Sequence, residues 1–146
     1  MEELEAAPGP PPKEGMVWIP GGTYNMGSDR HYPEEKPTGP VSVDGFWMDE
    51  TAVTNRQFAE FVADTGYVTT AEKAPDPAMY PGADPAMLVP GSITFAKPSG
   101  PVDLSNPMQW WAWTPGAQWR HPLGPGSTIE DRLEHPVTQV TYEDAD

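Results

Sequence analysis

Cysteine is absent from the 146 residues of this sequence. That excludes disulfides, thiolate metal sites and a thiol nucleophile supplied by the chain itself. Cations are scarce as well: 8 Lys and Arg stand against 22 Asp and Glu, a formal charge of −14. With so little to displace phosphate counterions, nucleic acid is not an expected partner. No run approaches the ~18 consecutive apolar residues of a bilayer span. Residues 1–15 (MEELEAAPGPPPKEG) lack the basic start and apolar stretch of a secretion signal, so a membrane partner is not expected and the cytoplasm is the default location. Large aliphatic residues are thin too. Leu, Ile, Val and Phe together number 22, about 15%, below the ~20% at which a charged chain comes under suspicion of disorder.

What the chain has instead is proline, glycine and indole. Twenty prolines and 14 glycines exclude a helix bundle, because each interior proline removes a helical hydrogen bond and clashes with the preceding turn. Six Trp and 5 Tyr beside 4 Phe argue against disorder, since each ring buries ~150–250 Å² and a few can hold a loop-rich domain together. The acids are spread along the chain, as on a solvated, self-repelling surface. The length suits one domain.

Residues 1–15 read as a flexible acidic, proline-rich leader, and a domain begins at Met16. Met16–Pro20 and Thr23–Met26 read as strands joined at Gly21-Gly22 into a hairpin. Asp29–Pro40 reads as a surface loop, and Val41–Glu50 as extended chain with a bulge at Gly45. The clearest local signal is a helix over 55–65. Thr54 and Gln57 have capping-box spacing, Val53 can staple onto Phe58, and Gly66 suits a left-handed C-terminus. Phe58, Phe61 and Val62 share its apolar face, while Arg56, Glu60 and Asp64 face water. Thr69–Pro101 holds seven prolines and three glycines, with one strand expected at Ser92–Ala96. Residues 108–121 concentrate four tryptophans without amphipathic period, either as a loop-pinning core or as the lining of a cleft. His135–Val140 reads as a strand, followed by an N-cap at Thr141 with acids in the first turn. A single turn cannot offset its nucleation cost, so the sequence reads as unfinished at Asp146.

Catalytic patterns are few. His31, His121 and His135 fit no local metal spacing. Ser28, Ser127 and Thr128 stand in no nucleophile elbow. Glu34-Glu35 and Glu130-Asp131 lie in charged loops, where a raised pKa has no burial to cause it. No glycine-rich phosphate loop occurs.

Met16–Ser28 (MVWIPGGTYNMGS), Val43–Glu50 (VDGFWMDE), Val53–Tyr67, Thr70–Lys73 (TAEK), Trp119–Ile129 (WRHPLGPGSTI) and His135–Val140 together resemble, in order, the N-terminal part of the formylglycine-generating enzymes, the sulfatase-modifying factors. The resemblance implies an α+β fold, an irregular C-type-lectin-like variant with little regular secondary structure, incomplete over residues 16–146. It implies a copper oxidase family that uses O2 to convert the cysteine of a C-x-P-x-R motif in a sulfatase to formylglycine. Two enzyme cysteines bind Cu(I), a soft ion matched to thiolate, and two calcium ions are structural. All these sites are expected in a C-terminal half beyond this chain, which by itself is expected to bind no metal and to be inactive. Trp119 and Pro122 resemble residues lining the family's substrate-peptide groove, with a buried pin beneath the turn as the other reading of Trp119. Asp76 stands where the family has an acid able to meet the substrate arginine. Arg120 is expected to tie its loop to a carboxylate. The competing reading is a non-catalytic lectin-like module that holds a peptide or sugar. Oligomeric state is open.

Overall fold

Alternating apolar and polar residues on both sides of two glycine breaks build a long two-stranded ribbon in residues 16–49 of the computed structural model, which describes residues 5–146. Strand β1 (Met16–Ile19) pairs antiparallel with β4 (Phe46–Asp49), and β2 (Gly22–Met26) with β3 (Gly39–Val43). Ile19 faces Phe46 and Gly22 faces Val43, so the register runs through the break unshifted. The expected hairpin between β1 and β2 therefore does not form. A two-residue hairpin turn needs positive φ, and neither Gly21 nor Gly22 adopts it. Glycine is required there by close approach: a Cβ on Gly21 would meet Gly45 N at 2.9 Å and Val43 O at 3.0 Å. Gly45 interrupts the opposite strand, and a Cβ on it would overlap the Trp18 indole. Trp18 and Trp47, partners in register, meet edge to face at 5.5 Å.

Of the leader, residues 1–4 lie outside the described residues, and 5–15 form neither helix nor strand. Glu5 nonetheless touches the ribbon, accepting hydrogen bonds from Trp18 Nε1 at 3.1 Å and Gly21 N at 3.3 Å. The ribbon and its flanks make up one unit, Met1–Ala52; Val53–Asp146 is the other.

The second unit opens with helix α1 (Asn55–Thr65), at the bounds expected from its caps. Thr54 Oγ1 accepts from Gln57 N, Gln57 Oε1 accepts from Thr54 N at 2.9 Å, and Gly66 closes the helix at φ 68°. The other N-terminal amides find distant partners, which a helix start requires: Asn55 N donates to His135 O and Arg56 N to Leu133 O, both at 2.9 Å. Phe58 and Val62 are buried, and with Trp119 they form the core, flanked by Ala59, Tyr67, Ile129, Val137 and Val140. Phe61 departs from expectation. It is 41% exposed and packs its ring on Phe58 and Tyr67.

Four short 3-10 turns follow, at Thr70–Glu72, Pro77–Met79, Pro85–Met87 and Pro107–Gln109. Strand β5 (Gly91–Phe95) lies one residue from the expected position and pairs antiparallel with β6 (Trp111–Pro115), Ile93 opposite Trp113 and Phe95 opposite Trp111. The tryptophan-rich segment is thus part strand, which its lack of period concealed. His135–Val140 makes no strand: Pro136 forms an isolated bridge with Thr54, and Gln139 turns left-handed at φ 62°. Helix α2 (Tyr142–Ala145) is capped by Thr141 in a box with Asp144. Among the described residues, one helix of length, one short turn of helix and three two-stranded ladders make a mixed, loop-rich fold compatible with the α+β class.

Candidate functional site

Beyond β6 the chain reverses at Gly116, φ 73°, and enters the turn that carries two of the expected site residues. Gln118 and His121 exchange backbone hydrogen bonds, Gln118 N to His121 O at 3.2 Å and His121 N to Gln118 O at 2.8 Å. This leaves Trp119 and Arg120 at the corner. The strong drive to bury an indole sends Trp119 inward: it is 2% exposed and meets Phe58 edge to face at 5.1 Å. Arg120 lies over the outer face of that ring, 4.1 Å from its centroid, and pairs with Glu72 Oε1 at 2.9 Å, as expected for a loop tie. Glu72 does double duty, since its Oε2 also accepts from Thr69 N at 3.0 Å and Thr69 Oγ1 at 2.8 Å.

From His121 onward the loop is wired to itself. Gly124 N donates to His121 O at 2.9 Å, Ser127 Oγ donates to Gly124 O at 2.7 Å, and Leu123 N donates to Ser127 Oγ at 2.9 Å. His121 Nδ1 lies 2.6 Å from Ser127 O. A carbonyl oxygen only accepts, so Nδ1 carries the proton in that pair. Gly124 sits at φ 98°, and a Cβ on it would press on Thr114 Cγ2 at 2.9 Å. Pro122 is half-buried and Leu123 exposed, so they present surface where Trp119 does not.

Asp76 is not part of this turn. It is exposed and caps the 3-10 turn at Pro77, its Oδ1 accepting from Ala78 N at 2.9 Å. Asp84 repeats the arrangement with Ala86 N at 2.9 Å, because Asp-Pro-Ala-Met occurs twice, at 76–79 and 84–87.

Two wired residues escaped sequence reasoning. Asp144, 6% exposed, accepts from Thr141 N at 2.8 Å, Thr70 N at 2.9 Å, Tyr67 OH at 3.0 Å and Thr70 Oγ1 at 3.2 Å. Burial opposes its ionisation, but the hydrogen bonds from Thr141 and Thr70 and that from Tyr67 outweigh it and hold its carboxyl below the usual range. Burial and the same Asp144 contact push the Tyr67 phenol up. Gln139 is the other, with Oε1 accepting from Ser92 Oγ at 2.5 Å and Nε2 donating to Pro122 O at 2.9 Å. Only the capping spacing of Thr141 and Asp144 hinted at the first, and nothing local hinted at the second.

Metal ligands are wanting. The chain has no cysteine, and among the described residues no three His, Cys, Asp or Glu side chains converge to hold an ion. A thiolate copper centre therefore has no ligands in this chain. No helix among the described residues is long and apolar enough to cross a membrane.

Comparison with known proteins adds to this geometry. A family model described as the sulfatase-modifying factor enzyme 1-like domain matches residues 2–146. The chain is 55% identical over 130 residues to a formylglycine-generating enzyme of Mycobacterium tuberculosis, covering 89% of this chain and 44% of that protein. It is 42% identical over 138 residues to a formylglycine-generating enzyme of Thermomonospora curvata, covering 90% and 42%. An inactive C-alpha-formylglycine-generating enzyme 2 of Mus musculus is 36% identical over 134 residues, covering 89% and 40%. The chain thus spans well under half the length of these curated relatives.

Proposed function

Because this chain belongs to the family of sulfatase-modifying factor enzyme 1-like domains, we propose that it is the N-terminal portion of a formylglycine-generating enzyme. On this reading its part is to recognise a sulfatase segment carrying C-x-P-x-R, not to oxidise it. Copper and O2 chemistry belongs to cysteines this chain lacks, and no oxidative step is assigned to its residues. A lectin-like scaffold, structural calcium outside this chain and a cytoplasmic setting complete the proposal.

The observation that carries it is the Trp119–Ser127 turn, the stretch most specific to the resemblance. Its Pro122 is half-buried beside the exposed Leu123 and offers apolar surface to an extended peptide, while Trp119, three residues earlier, is buried in the core. Asp76 is exposed and offers a carboxylate for charge-assisted hydrogen bonds to the peptide arginine. The overall charge of −14 favours encounter with such a cationic segment.

A non-catalytic module on the same scaffold is the second reading. It is favoured by the absence of cysteine and by the kinship with a protein named inactive. Isothermal titration separates the two readings. A C-x-P-x-R peptide should bind saturably, and Asp76→Asn should weaken it about 2- to 5-fold, the scale of one exposed ion pair. Equal binding of a scrambled peptide, or binding of sugar with none of peptide, would overturn the first reading.

A further inference from the structure

Gln139 is the one non-glycine residue with positive φ among the described residues, at 62°. An L side chain rarely adopts that backbone region, and glycine enters it without steric penalty. A glutamine there calls for a compensating role of its side chain.

The side-chain amide supplies one. Both ends are engaged: Oε1 takes the Ser92 hydroxyl at 2.5 Å, and Nε2 donates to Pro122 O at 2.9 Å and approaches Ile93 O at 3.5 Å. Ser92 and Ile93 belong to strand β5. The glutamine amide presents a donor and an acceptor at once, so one residue spans two structures far apart in sequence. On its own strand of chain it is equally well anchored. Val137 N donates to Val53 O at 2.9 Å, Val137 and Val140 pack on the core, and Thr141 caps α2. The internal hydrogen bonds of the 121–127 loop tie it to itself; Gln139 ties its Pro122 carbonyl to a strand.

We propose that Gln139 is the positioning residue of the candidate peptide site, holding Pro122 against β5 in the orientation a peptide meets. This rests on the peptide-binding reading above. Gln139 touches no ligand on this account and acts through Pro122.

The full chain tests it in three forms: unaltered, Gln139→Glu and Gln139→Gly. The glutamate keeps an acceptor for Ser92 and loses the donor to Pro122 O while ionised; once protonated, it regains one. Isothermal titration with a C-x-P-x-R peptide across about pH 4.3 to 7.5 reads the ratio of Kd between Gln139→Glu and the unaltered chain. The ratio removes pH effects that both proteins share, and Gln139→Gly, which adds no carboxylate, controls for those that the new charge brings. The expected ratio is about 3- to 10-fold at the neutral end, falling toward one as the introduced carboxylate protonates. Gln139→Gly, with relaxed backbone and no amide, should bind more weakly at every pH with no recovery. A general packing role would weaken binding without acid rescue. A ratio of one at neutral pH, or a loss that acid does not restore, overturns the proposal.

Should the unaltered chain bind no peptide, the recognition reading fails, and the hold of Gln139 on Pro122 is tested apart from it. The clamp itself is then judged by the Pro122 carbonyl carbon resonance. If that resonance moves in Gln139→Glu and returns on acidification, the clamp holds and only the recognition reading is lost. If it stays in place, both are lost.

Discussion

Asp144 accepts four hydrogen bonds from three residues in two stretches of chain, joining the start of the 3-10 turn at Thr70 and the ring of Tyr67 to the cap of α2. Asp144→Asn turns an amide N–H toward donors that need an acceptor, and should destabilise the second unit by about 1–3 kcal/mol, read as a lower urea midpoint. The pH dependence has a definite sign. The folded carboxyl titrates below its usual range, so its contribution is complete above the unfolded value of ~3.9 and is lost as pH falls from there through the folded pKa. Acid unfolding curves of Asp144→Asn should lack that segment of the loss; identical curves would remove Asp144 from the account. None of these partners lies within the local sequence window of Asp144 except Thr141, and the same distance hid Gln139.

Helix α1 is the element most legible from sequence, because every determinant is local: Thr54, Gln57 and Gly66 stand within one segment and do what their types predict. Thr54→Ala should cost about 1 kcal/mol, checked by chemical denaturation followed at the helical signal, and a cost near zero would mean the 132–136 segment alone specifies the start. Strands fared differently. Gly21-Gly22 reads as a turn by composition, but the choice between turning and running straight belongs to β3 and β4, which lie across the ribbon. Trp111–Pro115 (WAWTP) alternates large and small side chains over only four residues, too short a period to stand out within the tryptophan-rich stretch. His135–Val140 has strand composition and no ladder partner beyond one bridge. Its central glutamine is left-handed, a conformation that composition does not announce.

On the scale of the whole molecule, buried apolar side chains are few. Among the described residues they are Phe58, Val62, Ala71, Ala117 and Trp119, while Ile93, Phe95, Trp111 and Leu123 stay exposed. The candidate site residues divide in the same way: Trp119 is buried in the core, Pro122 is half-buried in the turn that follows it, and Asp76 lies exposed in a repeated capping turn whose geometry is local. On the function proposed above, a chain with an ordered turn and no sulfur ligand holds a peptide without changing it. The most direct test incubates the purified 146-residue chain with a C-x-P-x-R peptide, Cu(I) and oxygen, and follows the peptide by mass spectrometry. The account predicts bound peptide whose cysteine keeps its mass; an aldehyde formed catalytically by this chain alone would contradict it.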